Sequence, residues 1–519
     1  MRAVAIATPL QVHEEAFAMA RAHARKVEGM LCSDDMIRKQ HSELEALLAG
    51  AGREWARLML EENLRLRALV EQQREVVDAE GKGRKSTRDS ARHLETVLGR
   101  VEVPRLAYQS PGSPDLHPMD AALNLPKEMF SHGLRRLIAR EAARSSFDEV
   151  VDTVRELTGA SIAKRQVQEL TVRAAQDFDA FYEQRAQQRD PSEDLLVIST
   201  DGKGIVVRHE DLREGTKRAA QKSSQKLQTR LTPGEKSNRK RMAQVATVYS
   251  IAPFVRTPAD IVHTLRDPDE LDTKRPRPTD KRVWASVEKS GRAVIREAFD
   301  EAVRRDPEQK RRWVVLVDGE PKQLRAVKAE ARRAGVHVTI LADIVHVIEY
   351  IWAAARALFD GSNGKAEKWV ADRLLALLCG RSGGEVVKTI RWWQARTKLD
   401  DAANAAIDKT CAYLADRTRT RLLRYNEALS DGLPIATGVI EGACRYVVKD
   451  RMDRTGARWS LTGAEAVLRL RALRASKDFD AYWNFHLEQD RLRNHASCYQ
   501  DAKVPDPMPA PKPRIKRVK

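Results

Sequence analysis

The chain has 519 residues, 42% hydrophobic and 32% charged, enough for several domains with a large buried core. No stretch approaches 18 uncharged apolar residues and residues 1–6 are too short for a signal-peptide core, so neither a membrane-spanning helix nor a secretory leader is expected. The 92 Lys+Arg against 74 Asp+Glu leave a formal charge of +18, which favours a polyanionic partner, nucleic acid before a membrane surface.

The five cysteines, Cys32, Cys379, Cys411, Cys444 and Cys498, are scattered without a Cys-x-x-Cys pair. That argues against a zinc ribbon and a disulfide framework, and fits a reducing cytoplasm.

In chain order, residues 1–80 read as helices. Leu44, Leu47 and Leu48 share one face, and Trp55, Met59, Leu66 and Val70 continue apolar contacts at helical spacing. Residues 81–88 read as a polar loop, with a hairpin near Val101 and Val103 after Gly99. Phe147, Val150, Val151, Val154 and Leu157 form a helix face that stops at Thr158-Gly159. A second helix from about Ser161 carries Lys164, Arg165 and Gln168. Helix, glycine turn and basic helix suit a helix-turn-helix reading DNA, or an ordinary helical hairpin.

Residues 195–200 read as a strand, 204–208 as a strand returning beside it and 242–251 as a third. A helix over 281–302, a buried strand over 313–317, a helix over 321–334 ending at Gly335, and a strand over 336–341 complete an α/β layer. Residues 343–430 turn helical and carry Trp352, Trp369, Trp392 and Trp393 as core or interface anchors. The end, from about 505, is rich in proline and basic residues. The expected divisions are 1–110, helical with a hairpin; 111–190, helix-turn-helix-like; 191–350, the first part of an α/β core; 351–430, a helical insertion; 431–480, the core continuation; and 481–519, a basic, Pro-rich tail.

Three carboxylates draw the chemistry together. Asp201 and Asp318 each follow a short apolar strand run and precede glycine, and Glu441 opens a helix in Gly438-Val439-Ile440-Glu441-Gly442. Singly, such aspartates are turn formers. Together they suit a two-metal phosphoryl-transfer site, because Mg²⁺ takes oxygen ligands and a pair of ions serves both the attacking and the leaving oxygen. Glu441, Arg445 and Lys449 recur every four residues, either as a surface salt-bridge ladder or as a metal ligand with two phosphate-binding cations. Asp343 and His346 stand where strand passes into helix, as a cap and a core histidine or as auxiliary site residues. Residues 213–241 hold ten Lys/Arg against two acids, among them Lys236, Arg239, Lys240 and Arg241. This is a solvated face or a loop that grips DNA backbone. Arg458 and Trp459 follow the Glu441 helix, the indole either packed in a core or stacked on an unpaired base.

These residues together resemble a bacterial insertion-sequence transposase of the DDE class, the ISKra-type family. The likeness rests on residues 116–126, on the strand runs around Asp201 and Asp318, and most specifically on 438–442 running through 448–452 to Thr455-Gly456-Ala457-Arg458-Trp459. Asp343-x-x-His346 is similar to an acid-x-x-His signature of related transposases.

The resemblance implies an α/β RNase H-like catalytic core with an all-helical insertion, preceded by a mainly helical N-terminal DNA-binding region. It further implies Asp201, Asp318 and Glu441 as a triad holding two Mg²⁺ ions, for which Mn²⁺ substitutes. Expected partners are double-stranded DNA, as terminal inverted repeats and target, and further copies of the chain in a dimer or larger synaptic assembly. The expected place is the bacterial cytoplasm, at the nucleoid, with no membrane partner. A structure-selective nuclease on the same core and a non-catalytic, transposase-derived DNA-binding protein are the rivals.

Overall fold

In a computed structural model, residues 16–185, 194–222, 239–266, 275–359, 363–454 and 456–508 are described. The chain is mixed α/β and divides into two compact units, Met1–Glu183 with Asp480–Lys519, and Gln184–Phe479. Among the described residues no helix is long and apolar enough to cross a membrane.

The first unit opens with helices α1 (Ala18–Leu31) and α2 (His41–Val70) and a three-stranded antiparallel sheet, β1 (Ser86–Thr96), β2 (Gly99–Ser110) and β3 (Ser113–Leu116). β1 starts inside the stretch read as a polar loop. It is an edge strand with mostly uncovered side chains, so it needs little of the apolar alternation that marks a strand. Leu64 of α2 packs with Leu94, Val101 and Val103 of the hairpin. Three helices follow, α3 (His132–Ala142), α4 (Phe147–Thr158) and α5 (Lys164–Ala174), around Leu134, Ile138, Val150, Val154, Val167 and Leu170. A Ser146–Glu149 capping box starts α4, and Gly159, at φ 71°, ends it in the left-handed region.

The second unit is built on a five-stranded sheet: β4 (Leu195–Val206), β5 (Lys240–Ile251), β6 (Thr279–Ser286), β7 (Trp313–Val317) and β8 (Val338–Ala342), in the order β6-β5-β4-β7-β8. β5 is antiparallel to β4 and β6, while β7 and β8 run parallel to β4. All five residues of β7 are buried, as in a strand covered on both faces. Helix α6 (Gly291–Arg305) joins β6 to β7, and α7 (Pro321–Ala334) joins β7 to β8. α7 is bounded as its sequence signals direct, with Pro321 in the first turn and Gly335 at φ 66° past the end.

Two expectations fail here. Residues 204–208 do not return as a separate strand. Residues 195–206 form one strand, and the antiparallel partner arrives later as β5, register Leu195↔Ile251 to Val206↔Lys240. Residues 281–286 are strand, and the helix starts at Gly291, because Val283, Trp284 and Ala285 pair with β5 and bury their side chains.

After β8 the chain is helical through α8 (Ile344–Leu358), α9 (Asn363–Leu378), α10 (Gly383–Gln394) and α11 (Asp401–Arg419). Short helix α12 (Gly438–Ala443) packs on β4 and β5 and continues into a π-helical stretch, Cys444–Lys449; α13 (Leu461–Ala475) packs on β6. Residues 481–494, read as tail, instead belong to helix α14 (Phe479–Asn494), whose residues from Asp480 onward are part of the first unit. Tyr482, His486 and Asp490 recur at helical spacing and are buried there. The Tyr482 hydroxyl donates to the Ala174 carbonyl (2.7 Å), His486 meets Asp177 (2.6 Å), and Arg135 pairs with Asp490 (2.9 Å). Residues 509–519 lie outside the described residues.

Candidate active site

Register places the carboxylates. β4 pairs with β7 from Leu196↔Trp313 to Ser199↔Leu316, and β7 with β8 from Trp313↔Val338 to Val317↔Ala342. Continuing those registers puts Asp201 level with Asp318, and Asp318 level with Asp343. Three aspartates thus form a row across adjacent parallel strands, whose spacing is about 4.8 Å. Asp201 is not the last residue of its strand, as the sequence suggested. The twelve-residue ladder with β5 carries β4 beyond the end of β7, with Asp201 opposite Val245. Glu441 joins the row from α12, and Asp201, Asp318, Asp343, His346, Thr437 and Glu441 all line one small cleft.

Each carboxylate is held by a different part of the chain. Asp201 Oδ1 accepts from the Gly202 amide (2.6 Å), and Oδ2 accepts from the Cys444 thiol (3.2 Å). Burial, reinforced by Asp201, raises the Cys444 pKa far above the usual thiol range, so it remains a donor. Asp318 Oδ1 accepts from the Glu320 amide (2.9 Å). The Asp318 carbonyl accepts from Arg417 Nη2 (3.3 Å) and the Tyr413 hydroxyl (3.4 Å), both on α11. Gly319 follows at φ 86°, and a Cβ there would run into the Arg417 guanidinium.

Asp343 is buried and caps α8 through the Val345 amide (2.9 Å). It also accepts from the Thr437 hydroxyl and amide. Burial, with Glu441 adding repulsion, pushes its pKa up to about 6 despite the Val345 and Thr437 bonds. His346 is half-exposed, with Nδ1 3.4 Å from Glu349 Oε2, so it is not a core histidine.

The oxygen-only carboxylate set suits a hard cation. Among the described residues no three His, Cys, Asp or Glu side chains form an ion cage.

The basic residues divide. Lys164 and Arg165 are exposed in the first turn of α5, where each also meets an acid: Asp148 at 2.6 Å and Glu169 at 3.0 Å. Gln168 is half-buried one turn on. Lys236 lies outside the described residues; Lys240 is exposed and Arg239 half-buried at the start of β5. Arg241 is half-buried, with Nε and Nη1 donating to the Val287 (2.8 Å) and Asp211 (2.9 Å) carbonyls, which leaves it less free for phosphate than the exposed Lys240. Arg445 and Lys449 are exposed on the same side as Glu441 although a π-helical turn intervenes, and Arg445 lies 3.9 Å from Asp450. Arg458 is exposed.

Trp459 takes the core reading and not the DNA-stacking one: it is buried, donates Nε1–H to the Met452 carbonyl (3.0 Å), and lies under Arg451. Its backbone bridges to Val207, fixing the indole inside the unit, where it cannot stack on a base. Sequence reasoning missed Cys444, Thr437, Tyr413 and Arg417 as supports of the carboxylates.

Fold and cleft together define a mixed α/β protein with a row of carboxylates level across its three parallel strands and a further one from α12. No family model matches the chain, and no curated protein matches it.

Proposed function

We propose that this chain is a metal-dependent DNA transposase of the DDE class, ISKra-type, which binds terminal inverted repeats and cuts and joins DNA strands at the carboxylate cleft. The observation that carries the reading is the convergence of Asp201, Asp318 and Glu441, residues far apart in sequence, on one cleft. The strand order β6-β5-β4-β7-β8, with the first three antiparallel and the last two parallel, fits an RNase H-like core. A helical stretch lies between β8 and the glutamate, as the resemblance leads one to expect.

Asp201, Asp318 and Glu441 would hold two Mg²⁺ ions, which when bound activate the attacking oxygen and offset charge on the leaving one. The chain's own residues supply position. Cys444 and the Gly202 amide fix both oxygens of Asp201, while Arg417 and Tyr413 hold the Asp318 backbone from α11. Asp343 ties Thr437, whose carbonyl accepts from the Glu441 amide (3.1 Å), so the start of α12 is pinned to the end of β8. Such placement is the main lever in phosphoryl transfer, where little covalent work falls to the protein. The exposed first turn of α5 supplies the recognition surface.

The test is a duplex carrying the inverted repeats that flank the gene, incubated with the protein, Mg²⁺ and a target plasmid. A transposase nicks at the repeat ends and joins the freed 3′-hydroxyl to the plasmid. Cleavage without joining or repeat preference identifies a nuclease, and binding without cleavage a DNA-binding protein; either outcome overturns the reading.

A further inference from the structure

The carboxylate cleft shares Thr200, Asp201 and Asp318 with a second, larger cleft of about 740 Å³ in the same unit. The larger cleft runs over β4 and β5 between the first turns of α6 and α7. Its rim carries four exposed cations, Arg213, Arg292, Lys322 and Arg325. The one acid there besides the two aspartates, Glu320, is occupied in capping α7 through the Gln323 amide (3.2 Å). Arg292 lies 3.7 Å from Glu330 but keeps 68% of its side chain exposed, so its charge faces solvent.

Between the cations the wall is mixed, with Val294, Ile295, Ala326 and Ala329 beside the amides of Gln244 and Gln323. Gly202 and Gly291 border it where space has run out: a Cβ would come 2.9 Å from Met242 Cε and 3.0 Å from Gln244 Oε1 respectively. The first turns of two long helices add their partial positive charge on the same side.

We propose that this larger cleft seats a few nucleotides of a single nucleic-acid strand leading into the carboxylate cleft. The proposal rests on reading that cleft as a phosphoryl-transfer site. Its volume, about 740 Å³, is that of a pocket for one small ligand, about 300–1,000 Å³, and holds a short stretch of one strand. Cations at the rim meet phosphates, and the mixed wall between them takes the sugars. Among the described residues lining it none is aromatic, so bases are not stacked and the grip is independent of sequence.

The test is fluorescence anisotropy of a labelled, mixed-sequence single-stranded oligonucleotide with the full chain in EDTA, so that no cleavage is needed. Arg292→Gln/Lys322→Gln/Arg325→Gln should weaken binding tenfold or more and flatten its salt dependence by about 0.7 per lost phosphate contact. Ala326→Phe, which fills the cleft and removes no charge, should weaken it similarly. Lys328→Gln/Arg332→Gln, on α7 but off the cleft, should change it less than twofold. Unchanged binding in the first two variants, or equal loss in the third, overturns the proposal. Strand binding as described by a protein that never cuts DNA in Mg²⁺ would uphold the cleft and remove the phosphoryl-transfer reading.

Discussion

Trp459 and Asp343 show how local pattern and final role part at single residues. The indole follows a basic residue in the stretch most specific for the resemblance, yet its one polar atom is satisfied by the Met452 carbonyl inside the unit. Trp459→Ala should therefore cost about 3–5 kcal/mol, the usual loss for truncating a large buried aromatic, and Trp459→Phe distinctly less. Urea unfolding measures both, and an Ala variant as stable as the wild type would refute the buried role. Asp343 was legible as a cap, and it is one, but its buried bond to Thr437 spans 94 residues. Cys444 reaches Asp201 across 243 residues, and Arg417 reaches the Asp318 carbonyl across 99. No periodicity or turn chemistry marks such partners, because only the tertiary fold brings them together. Asp201 and Asp318 could be read because an apolar run ending in Asp-Gly leaves a local trace.

Elements with strong local signals were read closely, and those set by pairing were not. β7 and α7 match their sequence readings because a short apolar run, a Pro in the first helical turn and a trailing Gly are local statements. Residues 281–286 of β6 have no strict alternation and read as the start of a helix; pairing with β5 decides their state. α14 was missed because the composition of the last residues was extended back over Tyr482, His486 and Asp490. A histidine packed beside that helix gives the first unit a pH dependence. His132 Nε2 lies 2.8 Å from the Asn124 carbonyl and Arg135 faces its Nδ1, so the neutral ring fits best. Burial and then Arg135 lower its pKa from 6.5 to about 4, against the opposing pull of Asp490 on α14, 3.9 Å from Nε2. A depressed folded-state pKa adds stability that is present above pH 6.5 and lost as pH falls towards 4. Burial lowers His117 and His495 in the same sense. Urea unfolding followed through Trp483 should show stability falling between pH 6.5 and 4, with a shallower fall in His132→Gln. Equal pH slopes in the two proteins would contradict this origin.

At the scale of the whole chain, charge and length point to a multi-domain protein with a polyanionic partner, and the proposed function would set that partner's reaction at the carboxylate row of the sheet. The row of aspartates exists because three strands run parallel and in register, with α12 closing on the same edge. If these groups are one catalytic unit, their removal is strongly non-additive, since losing any member disables the whole. The most direct measurement is the Mg²⁺-dependent nicking rate on terminal-repeat duplex for Asp201→Asn, Asp318→Asn, Glu441→Gln and the triple variant. DNA affinity is measured alongside. The account expects each single variant to lose at least about a thousandfold (about 4 kcal/mol of barrier), the triple to lose no more, and all to bind DNA nearly as the wild type does. Any one single variant nicking within tenfold of the wild-type rate would contradict it.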